Sequence, residues 1–213
     1  MHQITKIKGF TDLVWPEVSK YTFMEDTARA VFSAYGYQEL RIPVLEKTEL
    51  FARSIGEETD IVQKEMFTFP DRKGRLVTMR PEATAGVARA YMDSTMHPRE
   101  QVSKVFTFGP MFRYERPQKG RQRQFHQINA ELFGSASPMA DAEIIAMLWR
   151  YLHQLGLSNL DVLVNSLGCP KCRPSFSRNL QSYFAAQDKH NLCPDCKRRQ
   201  ETNPLRILDC KVP

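Results

Sequence analysis

Residues 105–133, VFTFGPMFRYERPQKGRQRQFHQINAELF, leave the chain the fewest choices. Two runs alternate with the two-residue period of a β-strand, and a basic segment joins them. In the first run Phe106, Phe108, Phe112 and Tyr114 fall on one face, with Arg113 and Glu115 on the other. In the second, Ile128, Ala130 and Leu132 share a face opposite Arg123, Phe125, Gln127 and Glu131. Paired as a hairpin, the strands have an apolar back and a front carrying two arginines, two carboxylates, an amide and a phenyl ring. His126 falls on the apolar side and is read as structural. One wet face is ordinary in antiparallel sheets, so a solvated charged surface is the plainest interpretation. The charge density argues for more. Arg113, Arg116, Lys119, Arg121 and Arg123 crowd into residues 113–123 against Glu115 alone. Such cations repel one another unless an anion is bound, and the guanidinium fork matches phosphate oxygens. Phe125 adds a planar surface that phosphate by itself does not require. The front is therefore expected to take a polyanion carrying a planar base.

The rest of the chain is patterned as helices around hairpins. After Pro16, the residues Val18, Tyr21, Met24, Ala28, Val31 and Tyr35 recur at helical spacing, and Gly36 suits the end of that helix. Residues 37–44, YQELRIPV, alternate weakly as a strand ending near Pro43. A short helix over residues 48–55 is closed by Gly56, and residues 57–60 form an acidic turn. Residues 65–69 and 76–79 are expected to pair across the turn at 71–74. Pro81 opens a helix through about Tyr91, in whose first turn Glu82 complements the dipole. Met96, His97 and Pro98 make a loop. Pro138 starts a further helix, with Ile144, Met147, Leu148, Tyr151 and Leu155 on one stripe up to Gly156. Residues 161–165, DVLVN, resemble a strand, and a helix is expected from Pro174 to Gln187. This mixture predicts an α+β fold: an antiparallel β-sheet flanked by helices.

Bulk properties narrow the setting. A chain of 213 residues holds one domain, or a domain with a small insert. No apolar run approaches the roughly 18 residues that suggest a membrane span. The start, MHQITKIKGF, lacks the apolar stretch of a signal peptide, so a cytoplasmic location is expected. A formal charge of +6 favours an anionic partner such as a nucleotide or nucleic acid.

Phe112-Arg-x-Glu115, a loop, and Arg121-x-x-x-Phe125 resemble motif 2 of the class II aminoacyl-tRNA synthetases. The fuller string FRYERPQKGRQRQFHQ is similar to that of the histidyl-tRNA synthetase family, as are IGEETDIVQKEMFTF, RPEATAG and ETNPLRILDCK. The resemblance implies ATP-dependent activation of histidine to histidyl-adenylate, then transfer to tRNA(His), in a homodimer built through the motif 1 helix and strand. It also implies the site residues. Arg113 is the catalytic residue, gripping the α-phosphate and the histidine carboxylate. Glu115, Arg121, Arg123 and Phe125 join it around ATP, Glu115 on the adenine amino group, Phe125 on the ring and the two arginines towards the outer phosphates. Glu82 and Thr84 hold the histidine ammonium, with Gln127 and Glu131 completing the histidine site beside Arg113. Arg116, Gln118 and Lys119 at the loop tip meet the tRNA acceptor stem, and Mg2+ accompanies ATP. The family's chains continue beyond motif 2 with further pocket segments, motif 3 and an anticodon-binding domain. A sequence ending at Pro213 is thus expected to be an incomplete catalytic piece or a shortened relative.

Residues 1–166 are assigned to the synthetase-like core and residues 167–213 to the start of a small insertion. The insertion carries Cys169-Pro-Lys-Cys172 and Cys193-Pro-Asp-Cys196. Two such pairs offer four sulfurs to one tetrahedral ion, so a structural Zn2+ site is expected from spacing alone. Reduced unfilled thiols and redox chemistry remain alternatives, and Cys210 is read as a buried fifth thiol. Two other functions stay open: a synthetase-like regulatory protein that senses histidine or tRNA, and a zinc-stabilised nucleic-acid-binding domain.

Overall fold

The structure is a computed structural model describing residues 4–56, 59, 62, 65–94, 102–166, 168–186, 192–210 and 212. Most of the acidic turn at 57–60, several residues of IGEETDIVQKEMFTF, the loop at Met96, His97 and Pro98, Gln187 and Lys211 lie outside the described residues. The chain forms two compact units, Met1–Leu160 and Asp161–Pro213. Their boundary falls ahead of the one drawn from the sequence.

The first unit opens with helix α1 (Glu17–Ala34), followed by strands β1 (Gln38–Glu39) and β2 (Leu45–Lys47) and helix α2 (Thr48–Ile55). Strands β3 (Phe67–Pro70) and β4 (Leu76–Met79), helix α3 (Thr84–Asp93), the long strands β5 (Ser103–Phe112) and β6 (Gln124–Phe133), and helix α4 (Pro138–Gln154) complete it. One sheet has the order β1-β5-β6 and the other β2-β4-β3. The β5–β6 ladder is antiparallel from Ser103 opposite Phe133 to Phe112 opposite Gln124. Strand β1 joins β5 in parallel.

The hairpin's back face is the main core. Phe106 is buried among Ala28, Val31 and Phe32 of α1 and Met147 and Tyr151 of α4, with Phe108, Ile128 and Ala130 packed beside it. Phe32 meets Phe106 edge-on at 5.4 Å between ring centroids. Each such buried side chain is worth about 1.5–3 kcal/mol, so the face chosen by alternation fixes the strand register.

The front is less wet than the alternation implied. Val105 and Met111 are buried there against Ile42, Ala83 and Val87, with Phe125 and Phe133 partly covered. The cause is α3, which lies across part of that face and buries its own apolar side. Strand formation over residues 37–44 is also shorter than expected: only Gln38 and Glu39 pair with β5. Beyond them Pro43 has no N–H to donate. The carbonyls of Ile42 and Val44 are taken instead by the Arg80 guanidinium, at 2.8 Å, and the Arg80 backbone N–H, at 2.9 Å.

The second unit contains α5 (Arg173–Ala185), α6 (Pro194–Thr202) and a 3-10 turn, Pro204–Ile207. Its core is Phe184, Cys196 and Ile207, with Leu180, Leu192, Cys193 and Cys210 against them. Residues 161–165 form no strand, and Leu163 is 94% exposed. A strand is sustained by a partner ladder, and among the described residues this unit has no other strand to supply one.

Candidate functional site

The apolar contacts under α3 set the helix so that its N-terminus meets the front of the hairpin. The Glu82 carboxylate accepts from the backbone N–H groups of Thr84, at 2.6 Å, and Ala85, at 2.9 Å. It thereby satisfies two of the donors that any helix start leaves free. The Thr84 hydroxyl donates to Glu131 on β6 at 2.7 Å. Glu82, Thr84 and Glu131 thus converge although the strand and the helix are far apart in sequence. With its proton committed to Glu131, the Thr84 oxygen is left as an acceptor. Two carboxylates and an acceptor hydroxyl form a niche suited to a small ammonium group.

Towards the loop end of the strands, Arg113 is held from two sides. Its Nε donates to the Pro81 carbonyl at 2.9 Å, and its guanidinium carbon stands 5.1 Å from the Phe125 ring centroid. Glu115 sits between cations, 4.0 Å from Arg113 and 3.1 Å from Arg121. Arg123 turns aside: its Nε donates to the Glu115 carbonyl at 3.2 Å, and its guanidinium carbon lies 3.9 Å from the Tyr114 ring centroid. The cation cluster is therefore partly neutralised by Glu115, by carbonyl oxygens and by ring faces. Arg121 remains exposed at the rim. In the loop, Gln118 and Arg121 exchange backbone hydrogen bonds of 3.1 and 2.9 Å, closing a tight turn. Gly120 adopts φ +80 within it, a conformation glycine takes without a Cβ penalty. Arg116, Gln118 and Lys119 are exposed there.

Between Glu131 and the loop end of the hairpin, Gln127 follows the same face of β6. Its Oε1, the Oδ1 of Asn129 and the Oγ1 of Thr107 are buried without a hydrogen-bond partner. Buried polar atoms without partners are costly, and these three, from β5 and β6, share one face of the sheet, where a polar ligand could satisfy them. Asn129 and Thr107 were not among the residues singled out from the sequence. Asn129 could have been, since it lies midway between Gln127 and Glu131 in the same alternation.

Arg80 is a further residue that sequence reasoning missed. It is 4% exposed, and besides Ile42 it donates to the Pro110 carbonyl at 2.9 Å. Burial lowers its pKa from the ordinary arginine value. Gly109, at φ +148, lets it through: a Cβ there would stand 2.5 Å from Arg80 Nη2. The segment ahead of α1 is fastened too, because the Gly9 carbonyl accepts from the N–H groups of Arg123 and Gln124 at 2.9 and 3.1 Å. His126 lies on the back face as expected, edge-on to Tyr21 at 5.0 Å. A cavity of about 600 Å³ on that side is lined by Tyr21, Met24, Phe108, His126 and Tyr151. Phe125 and Gln127 of the candidate site also line it, whereas Arg113, Glu82 and Glu131 do not.

The cysteines are grouped differently from the expectation. Cys193, Cys196 and Cys210 come together, with all three sulfurs within 4.8 Å of one another. Cys169 and Cys172 are exposed and interact with each other, the Cys169 N–H donating to Cys172 Sγ at 3.0 Å. Among the described residues the four sulfurs of the two pairs do not form one cluster. The reason is the 3-10 turn, which returns Cys210 to α6.

A long antiparallel strand pair with an arginine-rich connection is the arrangement anticipated from motif 2, and the helix N-terminus at one end of it is added by the tertiary structure. Residues 9–172 match the protein-family model described as histidyl-tRNA synthetase. The chain belongs to the histidyl-tRNA synthetase family. It is 65% identical over 213 residues to a protein of Oleidesulfovibrio alaskensis named histidine–tRNA ligase, covering 100% of this chain and 51% of that protein. A protein of the same name from Geobacter metallireducens is 55% identical over 98% of this chain, which covers 50% of it. The chain thus spans about half the length of the curated relatives it matches. Among solved structures, the apo histidyl-tRNA synthetase of S. aureus superimposes with a TM-score of 0.73 at 32% identity, over 99% of this chain and 49% of that one.

Proposed function

We propose that the chain carries the histidine- and ATP-binding half of a histidine–tRNA ligase, an enzyme that forms histidyl-adenylate and passes the histidyl group to tRNA(His). The observation that carries this reading is the convergence of Glu82, Thr84 and Glu131 beside Gln127, on the same sheet face as Arg113 and Phe125.

In the proposed complex the ammonium of histidine donates to Glu82 and to the Thr84 oxygen. Gln127 and Glu131 face the substrate side chain, where a carboxylate reads an imidazole N–H that apolar analogues lack. Arg113 bridges the histidine carboxylate and the α-phosphate. As the carboxylate attacks, charge builds on the phosphoryl oxygens and the guanidinium stabilises it. The attacking carboxylate is already ionised, so positioning and charge neutralisation suffice. The adenine slides onto Phe125, its amino group donating to Glu115, while Arg121 reaches the outer phosphates. Arg123 contributes chiefly by holding Tyr114 and the Glu115 backbone in place. Bound together with ATP, Mg2+ would supply charge neutralisation at the phosphates. Glu82 and Glu131 are assigned to histidine, and Glu115 lies between Arg113 and Arg121, so none of them is assigned to the metal. Arg116, Gln118 and Lys119 project as the surface that meets the tRNA acceptor stem.

The setting proposed is a cytoplasmic homodimer. Among the described residues, no helix is long and apolar enough to cross a membrane. Val14, Trp15 and Phe23, at 65%, 80% and 54% exposure, give the motif 1 region apolar surface suited to a second subunit. The same fold occurs, at 21% identity and a TM-score of 0.68, in a Bacillus halodurans protein titled an ATP phosphoribosyltransferase regulatory subunit/histidyl-tRNA synthetase. The full set of Arg113, Glu115, Arg121 and Phe125 favours the ligase reading over a purely regulatory one.

Calorimetric titration with a non-reactive histidyl-adenylate analogue tests the proposal. Selective binding over other aminoacyl-adenylate analogues is expected, and it should be abolished by Arg113→Ala with the circular dichroism spectrum unchanged. A well-folded chain that binds none of the analogues, or all of them equally, would sink the half-site assignment.

A further inference from the structure

Cys210 belongs to neither Cys-x-x-Cys pair, yet the fold delivers its sulfur to one of them. Cys193 Sγ and Cys210 Sγ lie 3.8 Å apart, and Cys196 Sγ is within 4.8 Å of both. Separate pieces of backbone hold these positions. Cys193 caps the N-terminus of α6 and its sulfur accepts from the Cys196 N–H at 3.4 Å. Cys196 is buried in the first turn of that helix. Cys210 follows the 3-10 turn, its N–H donating to the Ile207 carbonyl at 3.0 Å.

The spacing has a chemical meaning. Zinc–thiolate bonds of about 2.3 Å in tetrahedral directions place ligand sulfurs about 3.8 Å apart, whereas a disulfide requires about 2.05 Å. One sulfur contact of this length is ordinary packing. Three sulfurs in mutual reach, one stabilised by a helix-start N–H, have the arrangement of ligands around an ion. Their surroundings add a second reason. Among the described residues the buried core of the second unit is small, and small cores of this kind commonly rely on a metal or a covalent staple.

We propose that Cys193, Cys196 and Cys210 form a zinc site, with the fourth ligand supplied from outside the trio. Each thiol that binds releases its proton to solvent as the Zn–S bond forms. The ion ties the start of α6 to the segment after the 3-10 turn and is structural. The assignment is independent of the ligase reading, and it replaces the set of two pairs by one in which Cys210 is obligatory.

The test uses the whole chain, purified under reductant, stripped by a chelator and titrated with zinc sulfate alone. Metal content is read by mass spectrometry, and the reactivity of each cysteine by alkylation and peptide mapping. One zinc per chain is expected, with alkylation of Cys193, Cys196 and Cys210 slowed about tenfold or more and restored by the chelator. Cys210→Ser should weaken zinc binding by a similar factor. The wild-type protection pattern stands even if that variant fails to fold. Zinc protection of Cys169, Cys172, Cys193 and Cys196 with Cys210 still reactive would overturn the assignment. So would a chain that takes up no zinc.

Discussion

Arg80 joins three pieces of backbone that sequence keeps apart. Its guanidinium holds the carbonyls of Ile42 and Pro110, and its main chain continues into the segment carrying Glu82. Replacement by leucine leaves one buried and one half-buried carbonyl without donors, an expected loss of about 2–5 kcal/mol in urea unfolding. Gly109→Ala should destabilise in the same way, through its positive φ and the clash with Arg80. Because the two substitutions disrupt one contact, the double variant should lose less than the sum of the single losses. Strict additivity would mean that the contact is not shared. His126 gives a pH signature. Its pKa is lowered by burial, while nearby Glu25 raises it and Arg80 lowers it further. As the pH falls the unfolded chain takes up this proton first, so the stabilisation is complete above about pH 6.5 and is lost below it. The melting temperature of the wild type should therefore fall more steeply than that of His126→Gln on acidification from about pH 8 to 5.5. Parallel curves would remove His126 as the cause.

Among the elements, the hairpin and α3 divide the proposed work. The loop at 116–122 projects exposed side chains and is held by its own turn hydrogen bonds. Arg116→Ala and Lys119→Ala should each reduce the salt slope of tRNA binding by about one unit, leaving adenylate-analogue binding unchanged. A loss of analogue binding in these variants would place the loop inside the nucleotide site. The α3 start behaves differently, since Thr84 is fixed by Glu131. Thr84→Val keeps the shape but removes the hydroxyl, and is expected to weaken analogue binding about tenfold, the worth of one good hydrogen bond. Much of this level was legible in advance. The helix at 48–55, the strand at 76–79 and the apolar hairpin back appear where local periodicity put them. The strand read at 161–165 did not, because alternation reports a preference for a sheet and not the presence of one.

For the molecule as a whole, light scattering should find a dimer at tens of micromolar if the apolar surface at Val14, Trp15 and Phe23 is a subunit interface; a monomer would remove that proposal. The sequence by itself determined the α+β pattern, the faces of the hairpin and the family to which the chain belongs. It also marked Glu82, Thr84, Gln127 and Glu131 as candidates but not Asn129, Thr107 or Arg80, because motif spacing and strand alternation are local properties of the chain. Tertiary structure decided the rest. It set Glu82 and Thr84 against Glu131, passed Arg80 beside Gly109, folded α3 over part of the front face, and moved Cys210 into a pair that the spacing had matched elsewhere. Each of these is a contact between distant segments, chosen by which apolar faces could be buried together and which buried polar groups then found partners.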